Sequence, residues 1–268
     1  MTKAANEPGT GTIGTIDIVS RVLHRDGLML IIDKPAGIPV HRGPRNSRDK
    51  SGVALEDCFD ALRFGLPRPP VLAHRLDRDT SGCLVLGRHR KATASLGLLF
   101  KHNKIDKTYW AVVDGAPEAD EGTIEIPLGR LNAERGWWQK PDPNGLPSTT
   151  NWKVLGRSAD AVLTWLALEP VTGRTHQLRV HCAAMGWPIT GDSIYGTAPR
   201  EGGPMLHLHA REVSVPLSKN KPPVRVAARV PSHMRERLML CGWREEDATD
   251  QSGDGLPLRQ PGAFRRNR

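Results

Sequence analysis

This chain lacks most of the features that mark secreted, membrane-spanning or nucleotide-cradling proteins. Its four cysteines, Cys58, Cys83, Cys182 and Cys241, include no CxxC pair. That argues against a zinc ribbon or a thioredoxin-like motif and leaves reduced thiols as the expectation. No apolar run approaches the ~18 residues of a membrane span, and the opening MTKAANEPGTGTIGT has no signal-peptide core. A soluble, cytoplasmic protein with no membrane partner is the expectation. Neither GxGxxG nor GxxxxGK[ST] occurs, which makes a doubly wound nucleotide-binding fold unexpected. There is no internal repeat of about 20 to 50 residues, which argues against a solenoid or propeller as well. Tyrosine is scarce, with only Tyr109 and Tyr195.

What is present suits a loop-rich globular domain. The 268 residues can bury a sizeable core, and 38% are hydrophobic, 25% charged, with 27 Gly and 22 Pro. Residues 1–15 are small and polar, and 245–268 pass from acidic to Gly/Pro to basic, so both read as disordered tails around a domain at 16–244. The net charge of +9 is unevenly spread. Between His74 and Lys107 lie Arg75, Arg78, Arg88, Arg90, Lys91, Lys101, Lys104 and Lys107, against only Asp77, Asp79 and Asp106. Such clustering is the electrostatic footprint of a nucleic-acid binder.

Runs rich in Val, Ile and Trp with Gly, Pro or Asp at their ends read as strands at 28–33, 83–87, 108–113, 161–168 and 211–217. Leu55, Cys58, Phe59 and Leu62 fall at i, i+3, i+4, i+7, as do Leu178, His181, Cys182 and Met185, so each set suits one buried helix face. A third helix is expected from about Arg88 to His102, with Leu96, Leu99 and Phe100 inward and Arg90 and Lys101 outward. Many strands, few helices and no βαβ rhythm predict an α+β fold: a mixed, mostly antiparallel central sheet with flanking helices and loops.

Three polar clusters carry the candidate chemistry. In His74-Arg75-Leu76-Asp77-Arg78-Asp79-Thr80-Ser81-Gly82, local composition alone favours a turn. Two arginines flanking Asp77 nevertheless suit a carboxylate that must stay ionised. In Thr172-Gly173-Arg174-Thr175-His176-Gln177-Leu178-Arg179-Val180-His181, Thr172 or Thr175 is expected to cap a helix. The bland reading is an amphipathic helix with solvated arginines and one satisfied core histidine. In Lys107-Thr108-Tyr109, strand alternation puts Lys107 and Tyr109 on one face. The segment Gly136-Trp137-Trp138-Gln139-Lys140 has the residues to stack bases, although a packed hydrophobic loop is the favoured reading.

Together these blocks resemble the RluA-type pseudouridine synthases. The resemblance runs in order through KPAGIPVH (34–41), HRLDRDTSG, Lys107-x-Tyr109, GRTHQLRVH, GWPITGDSIYG (186–196) and Leu208-His209-Ala210, over about residues 28 to 215. It implies a mixed-sheet catalytic domain with an RNA-binding cleft and no cofactor. Asp77 is then the catalytic carboxylate, Tyr109 the active-site aromatic base and Arg174 the cation paired with Asp77. Arg75 resembles the arginine that replaces the extruded uridine, and His74, Arg78, Lys107, Arg90 and Lys101 are the remaining candidate RNA contacts. Structured RNA is the implied partner, ribosomal RNA ahead of transfer RNA, and nothing requires more than a monomer.

Converting uridine to its C-glycoside breaks N1–C1′, rotates the uracil and joins C5 to C1′, with no redox change. A carboxylate beside C1′ serves this as nucleophile or as partner of a cationic sugar, or it starts a route through C2′. Two rivals stand beside this reading. One is a non-catalytic RNA-binding protein, which needs the basic surface but not Asp77, Tyr109 and Arg174 together. The other is a metal-dependent hydrolase built on His207-x-His209 with His176 or His181.

Overall fold

The computed structural model describes residues 16–42, 53–132, 137–218 and 220–245. The tail at 1–15, and all of 245–268 except Glu245, lie outside the described residues, as does Gly136 of the tryptophan segment. The main sheet contains β1 (Val22–Arg25), β2 (Met29–Lys34), β3 (Val71–Leu72), β4 (Ser81–Gly87), β5 (Asp106–Asp114), β6 (Glu121–Glu125), β9 (Thr149–Arg157), β10 (Leu163–Pro170), β11 (Leu208–Val215) and β12 (Val224–Ala227). A separate hairpin pairs β7 (Leu128–Arg130) with β8 (Gln139–Pro141). Three α-helices follow the chain as α1 (Arg90–Lys101), α2 (Gln177–Ala184) and α3 (Ser232–Leu240), and Leu55–Leu62 forms a 3-10 helix.

Strand order is β1-β2-β4-β11-β5-β10-β9-β6, with β3 on β4 and β12 on β11. Every pairing in it is antiparallel except β4 with β11, so the expected α+β mixed sheet is what forms. That parallel pairing joins an amino-terminal half-sheet to a carboxy-terminal one. It begins at Ser81 and Gly82 opposite His209 and Ala210. Gly82 has φ of +105°, and a Cβ there would collide with the Ala210 carbonyl, so the backbones can approach only with glycine at this position.

Alternation along the strands sends side chains to two covered faces. Leu30, Ile32, Leu84 and Leu86 pack under the 3-10 helix residues Leu55, Phe59 and Leu62. Met29, Ile31, Cys83 and Val85 face the other way, toward Leu96 of α1. In the second half, Ala111, Val113, Leu166 and Leu168 meet Leu178 and Cys182 of α2. Val112 and Trp165 meet Met234 and Leu238 of α3 on the opposite side. Tyr109 touches the first and third of these clusters, which places it in the seam between the two half-sheets on one face.

Several expectations shift. The strand expected at 161–168 starts two residues later, because Ala161 sits in a turn with φ of +55°. The strand expected at 211–217 runs from 208, pairing Leu208 with Ala111. Thr172 does not cap α2. The cap position is His176, and Thr172 Oγ1 instead donates to Gln177 Oε1 at 2.7 Å and accepts from the Thr149 amide at 3.0 Å. Nor does α2 have one buried face: Gln177 to Cys182 are buried in succession while Met185 is 44% exposed.

Candidate active site

Asp77 lies in the loop from β3 to β4, and a buried lysine holds that loop. Lys34, at the end of β2, donates Nζ hydrogen bonds to the carbonyls of Pro35 (2.9 Å), Arg78 (2.8 Å) and Thr80 (2.8 Å). Three acceptors match the three protons of an ammonium, and a neutral amine would leave one carbonyl without a donor. Burial pushes the Lys34 pKa down to about 7, opposed by the charges of Asp79 and Asp77. The Thr80 amide donates to the Asp77 carbonyl at 3.2 Å, closing the turn that leaves the Asp77 side chain partly exposed.

The groups facing Asp77 come from the start of α2. His176 Nε2 is 3.8 Å from Asp77 Oδ2, with the His176 side chain 7% exposed. His176 has left-handed backbone with φ of +53°, a strained conformation for a residue with a Cβ. Its Nδ1 lies 2.8 Å from Tyr195 Oη, and the Gln139 amide donates to that same oxygen at 3.0 Å. Arg179, one turn into α2, is buried with Asp192: Nε reaches Oδ2 and a terminal nitrogen reaches Oδ1, each at 2.7 Å. Asp192 also accepts the Ile194 and Tyr195 amides at 2.9 and 3.0 Å. Burial opposes the Asp192 carboxylate, but Arg179 and the two amides outweigh it and hold its pKa below the ordinary value. Burial likewise opposes the Arg179 cation, yet the charges of Asp192 and Asp77 keep it firmly protonated.

Tyr109 completes the group from β5. Burial first, then the charges of Asp77 and Cys83, drive its pKa upward, so the phenol is neutral at any working pH. Its hydroxyl makes no hydrogen bond with the described residues.

Of the residues named from sequence, Asp77 and Tyr109 are brought together and Arg174 is not. Arg174 is exposed and its Nε donates to the Pro147 carbonyl at 3.3 Å, so the expected pair with Asp77 does not form; His176 stands 3.8 Å from Asp77 instead, and Arg179, paired with Asp192, acts on it only through its charge. The reason is local: Gln177 Oε1 accepts from the Arg174 amide and the Thr172 hydroxyl, while its Nε2 donates to Thr149 and Thr150. That bolt onto β9 turns Arg174 outward and the next turn of helix inward. His74 is also corrected as an RNA contact. Its ring stacks on Phe100 at 4.1 Å, Nε2 accepts the Val85 amide at 3.0 Å, and burial holds its pKa at about 3.

The Arg75 side chain is exposed and forms no hydrogen bond or ion pair with the described residues. Arg78 is exposed with Nε donating to the Gly37 carbonyl at 3.1 Å. Arg90 and Lys101 stand exposed at the two ends of α1, roughly 16 Å apart at 1.5 Å per residue. Lys107 is half-buried, and burial lowers its pKa. Trp137 is 57% exposed, with its ring edge-on to His176 at 5.4 Å, so the packed-loop expectation fails for it.

The histidines of the metal reading are engaged elsewhere. His181 Nε2 donates to the Ile126 carbonyl at 3.0 Å and Nδ1 accepts from the Thr150 hydroxyl at 2.9 Å. His209 Nδ1 pairs with Ser81 Oγ at 2.8 Å, and His207 Nδ1 with the Met205 carbonyl at 2.7 Å. Among the described residues no three His, Cys, Asp or Glu are grouped to hold a metal ion. Also among them, no helix is long and apolar enough to cross a membrane.

Sequence reasoning missed Lys34, His176, Arg179 and Asp192 as site residues. A signal was available in each case, since all four sit inside the blocks quoted for the resemblance. What was lacking was any indication of which polar residue in a block turns inward.

Residues 28–184 match the family model described as RNA pseudouridylate synthase. An uncharacterized RNA pseudouridine synthase of Zymomonas mobilis is 41% identical over 207 residues, covering 76% of this chain and 91% of that protein. Ribosomal large subunit pseudouridine synthase C of Vibrio cholerae is 32% identical, covering 86% of this chain and 72% of its own. The solved structure of human RNA Pseudouridylate Synthase Domain Containing 4 superposes with a TM-score of 0.68 at 25% identity, covering 84% of this chain and 94% of that one.

Proposed function

Because this chain belongs to the RNA pseudouridylate synthase family, and so isomerises uridine to pseudouridine in RNA, we propose that it does so through Asp77. The observation that carries the assignment is the convergence on Asp77 of His176 at 3.8 Å, the buried Arg179 charge and the Tyr109 phenol. A carboxylate at this position is placed either to attack C1′ as nucleophile or to take the proton from C2′.

Tyr109 is the proposed base for the C5 proton, and its electrostatic coupling to Asp77 supports a timing for it. While Asp77 is charged, that charge helps to hold the phenol proton in place. Esterification to C1′ and protonation from C2′ both remove the charge, so on either route the Tyr109 phenol gives up its proton more readily only after the glycosidic bond has broken; that proton passes to the freed uracil anion, and the phenolate then takes the one from C5. Proton transfer by a positioned group is most effective when its pKa approaches the working pH.

The exposed Arg75, Arg78, Arg90 and Lys101 are the proposed phosphate contacts, with Arg75 entering the stack where the uridine leaves. Extrusion costs a few kcal/mol, and phosphate contacts offset it. We assign residues 16–244 as the catalytic unit, a cytoplasmic monomer acting on structured RNA, with ribosomal RNA preferred by its similarity to the Vibrio cholerae enzyme. Asp77→Asn should bind RNA but form no pseudouridine, and robust turnover by that variant overturns the assignment. Mapping pseudouridines in cells with and without the protein identifies the RNA, and loss of a site outside ribosomal RNA would reject the preference.

A further inference from the structure

The Asp77 reading leaves one strained group unexplained. His176 is buried in left-handed backbone, and its two ring nitrogens face different partners: Tyr195 Oη at 2.8 Å and Asp77 Oδ2 at 3.8 Å. The Gln139 amide can only donate, so Tyr195 Oη accepts there at 3.0 Å and has its own proton to give. Donated to His176 Nδ1, that proton requires the histidine hydrogen to sit on Nε2, on the side of Asp77. The phenol ring is itself fixed, with the Arg179 guanidinium 5.2 Å from its centre and Asp192 holding the Tyr195 amide.

Resting on the assignment of Asp77, we propose that Tyr195 pins His176 as the neutral Nε2–H tautomer, so that a ring dipole and not a second cation faces the Asp77 carboxylate. His176 and Tyr195 are then positioning residues. The distinction matters for the chemistry. An imidazolium at 3.8 Å would pair with Asp77 and blunt it as a nucleophile or base, whereas an N–H dipole orients the carboxylate and leaves its charge available. A separation of 3.8 Å is too long for a hydrogen bond, and it closes to one with a small shift when substrate seats.

The surroundings agree. Burial lowers the His176 pKa, and so does the Arg179 charge, while Asp77, Asp192 and Asp79 act in the opposite direction. Trp137 covers another side of the ring and carries no charge. The Tyr195 proton on Nδ1 adds to the preference for the neutral form, because a hydrogen bond made only by that form lowers the pKa further.

The test is the pH profile of kcat for pseudouridine formation on a fixed RNA, measured for wild type, Tyr195→Phe and His176→Gln. Tyr195→Phe keeps the ring over Arg179 but removes the donated proton, so the acid limb of kcat should move up by about one pH unit, the size of one hydrogen bond. His176→Gln places an amide N–H near the position of Nε2 and cannot titrate, so that limb should disappear while KM changes little. Nitrogen NMR of histidine-labelled protein should show the Nε2–H tautomer for His176 near neutral pH in wild type. An acid limb at one pH in all three proteins, or an Nδ1–H or doubly protonated ring at neutral pH, overturns the proposal. Melting curves identify a variant that fails to fold, and if Tyr195→Phe does so, His176→Gln decides alone. A flat comparison with Asp77→Asn inactive sinks only this inference, whereas an active Asp77→Asn sinks the reading beneath it.

Discussion

The loop at 74–82 and the segment at 172–181 have nearly the same chemistry in sequence, each a run of Arg, His and Thr, yet they fold in opposite senses. In the first, Arg75 and Arg78 point to solvent and Asp77 is left partly exposed toward the site. In the second, Arg174 is exposed while His176, Gln177, Arg179 and His181 are all buried. A charged side chain is buried only where partners are prepared for it. The first segment has the Lys34 ammonium binding its backbone, so its two arginines stay at the surface. The second is enclosed by β9, the β7–β8 hairpin and the 188–196 turn, and these supply Thr150, Gln139, Tyr195 and Asp192 as partners.

This contrast can be broken most strongly at Arg179. Removing one member of a buried ion pair typically costs about 3–5 kcal/mol, so Arg179→Ala should unfold at markedly lower denaturant and lose activity. Arg174→Ala should stay within about 0.5 kcal/mol of wild type, as surface changes usually do. Equal effects in urea titrations would show that the two arginines have been assigned the wrong way round. Lys34→Met comes next. It leaves three carbonyls without a donor, each worth roughly 1–3 kcal/mol if buried and unmatched, so both stability and kcat should fall while Arg75→Ala spares stability.

The buried carboxylate sharpens the contrast by its pH dependence. The Asp192 pKa is lower folded than its ordinary 3.8, so its contribution is complete above that value and is lost as pH falls through the folded pKa. The gap in stability between wild type and Asp192→Asn should be constant near neutrality and shrink below about pH 4. A gap that widens in acid would contradict the sign. The smallest effects belong to the outward cations. If the basic surface neutralises about six phosphates, log K against log salt should have a slope of roughly −4 on single-stranded RNA, and each of Arg75→Ala, Arg90→Ala and Lys101→Ala should flatten it by about 0.7. His74→Ala should leave the slope unchanged, because that ring is stacked on Phe100.

Much of the architecture was legible because apolar periodicity reports it directly. The runs at 28–33, 83–87 and 108–113 became central strands, and Leu96 and Phe100 of α1 turned inward as spaced. The short edge strands β1, β6 and β12 were missed, since four or five residues such as EGTIE carry too little alternation to stand out. The helix pattern in α2 failed for a different reason. A helix surrounded on its first turns has no solvent face for periodicity to reveal, so Arg179 looked like a surface cation.

The amino-acid sequence by itself determined the mixed sheet, the basic surface and the two residues, Asp77 and Tyr109, around which the proposed chemistry is built. Residue type and spacing suffice for the sheet and the surface charge, because strand alternation and clustered charge act over a few neighbours, whereas Asp77 and Tyr109 came from the motif resemblance. Only the tertiary structure decided that Arg179 and His176, not Arg174, face Asp77. That choice depends on partners 13 to 31 residues away or farther, such as Asp192 for Arg179, Thr150 for His181 and Asp77 for His176. The free energy of burying a charge is set by those partners and not by its neighbours along the chain.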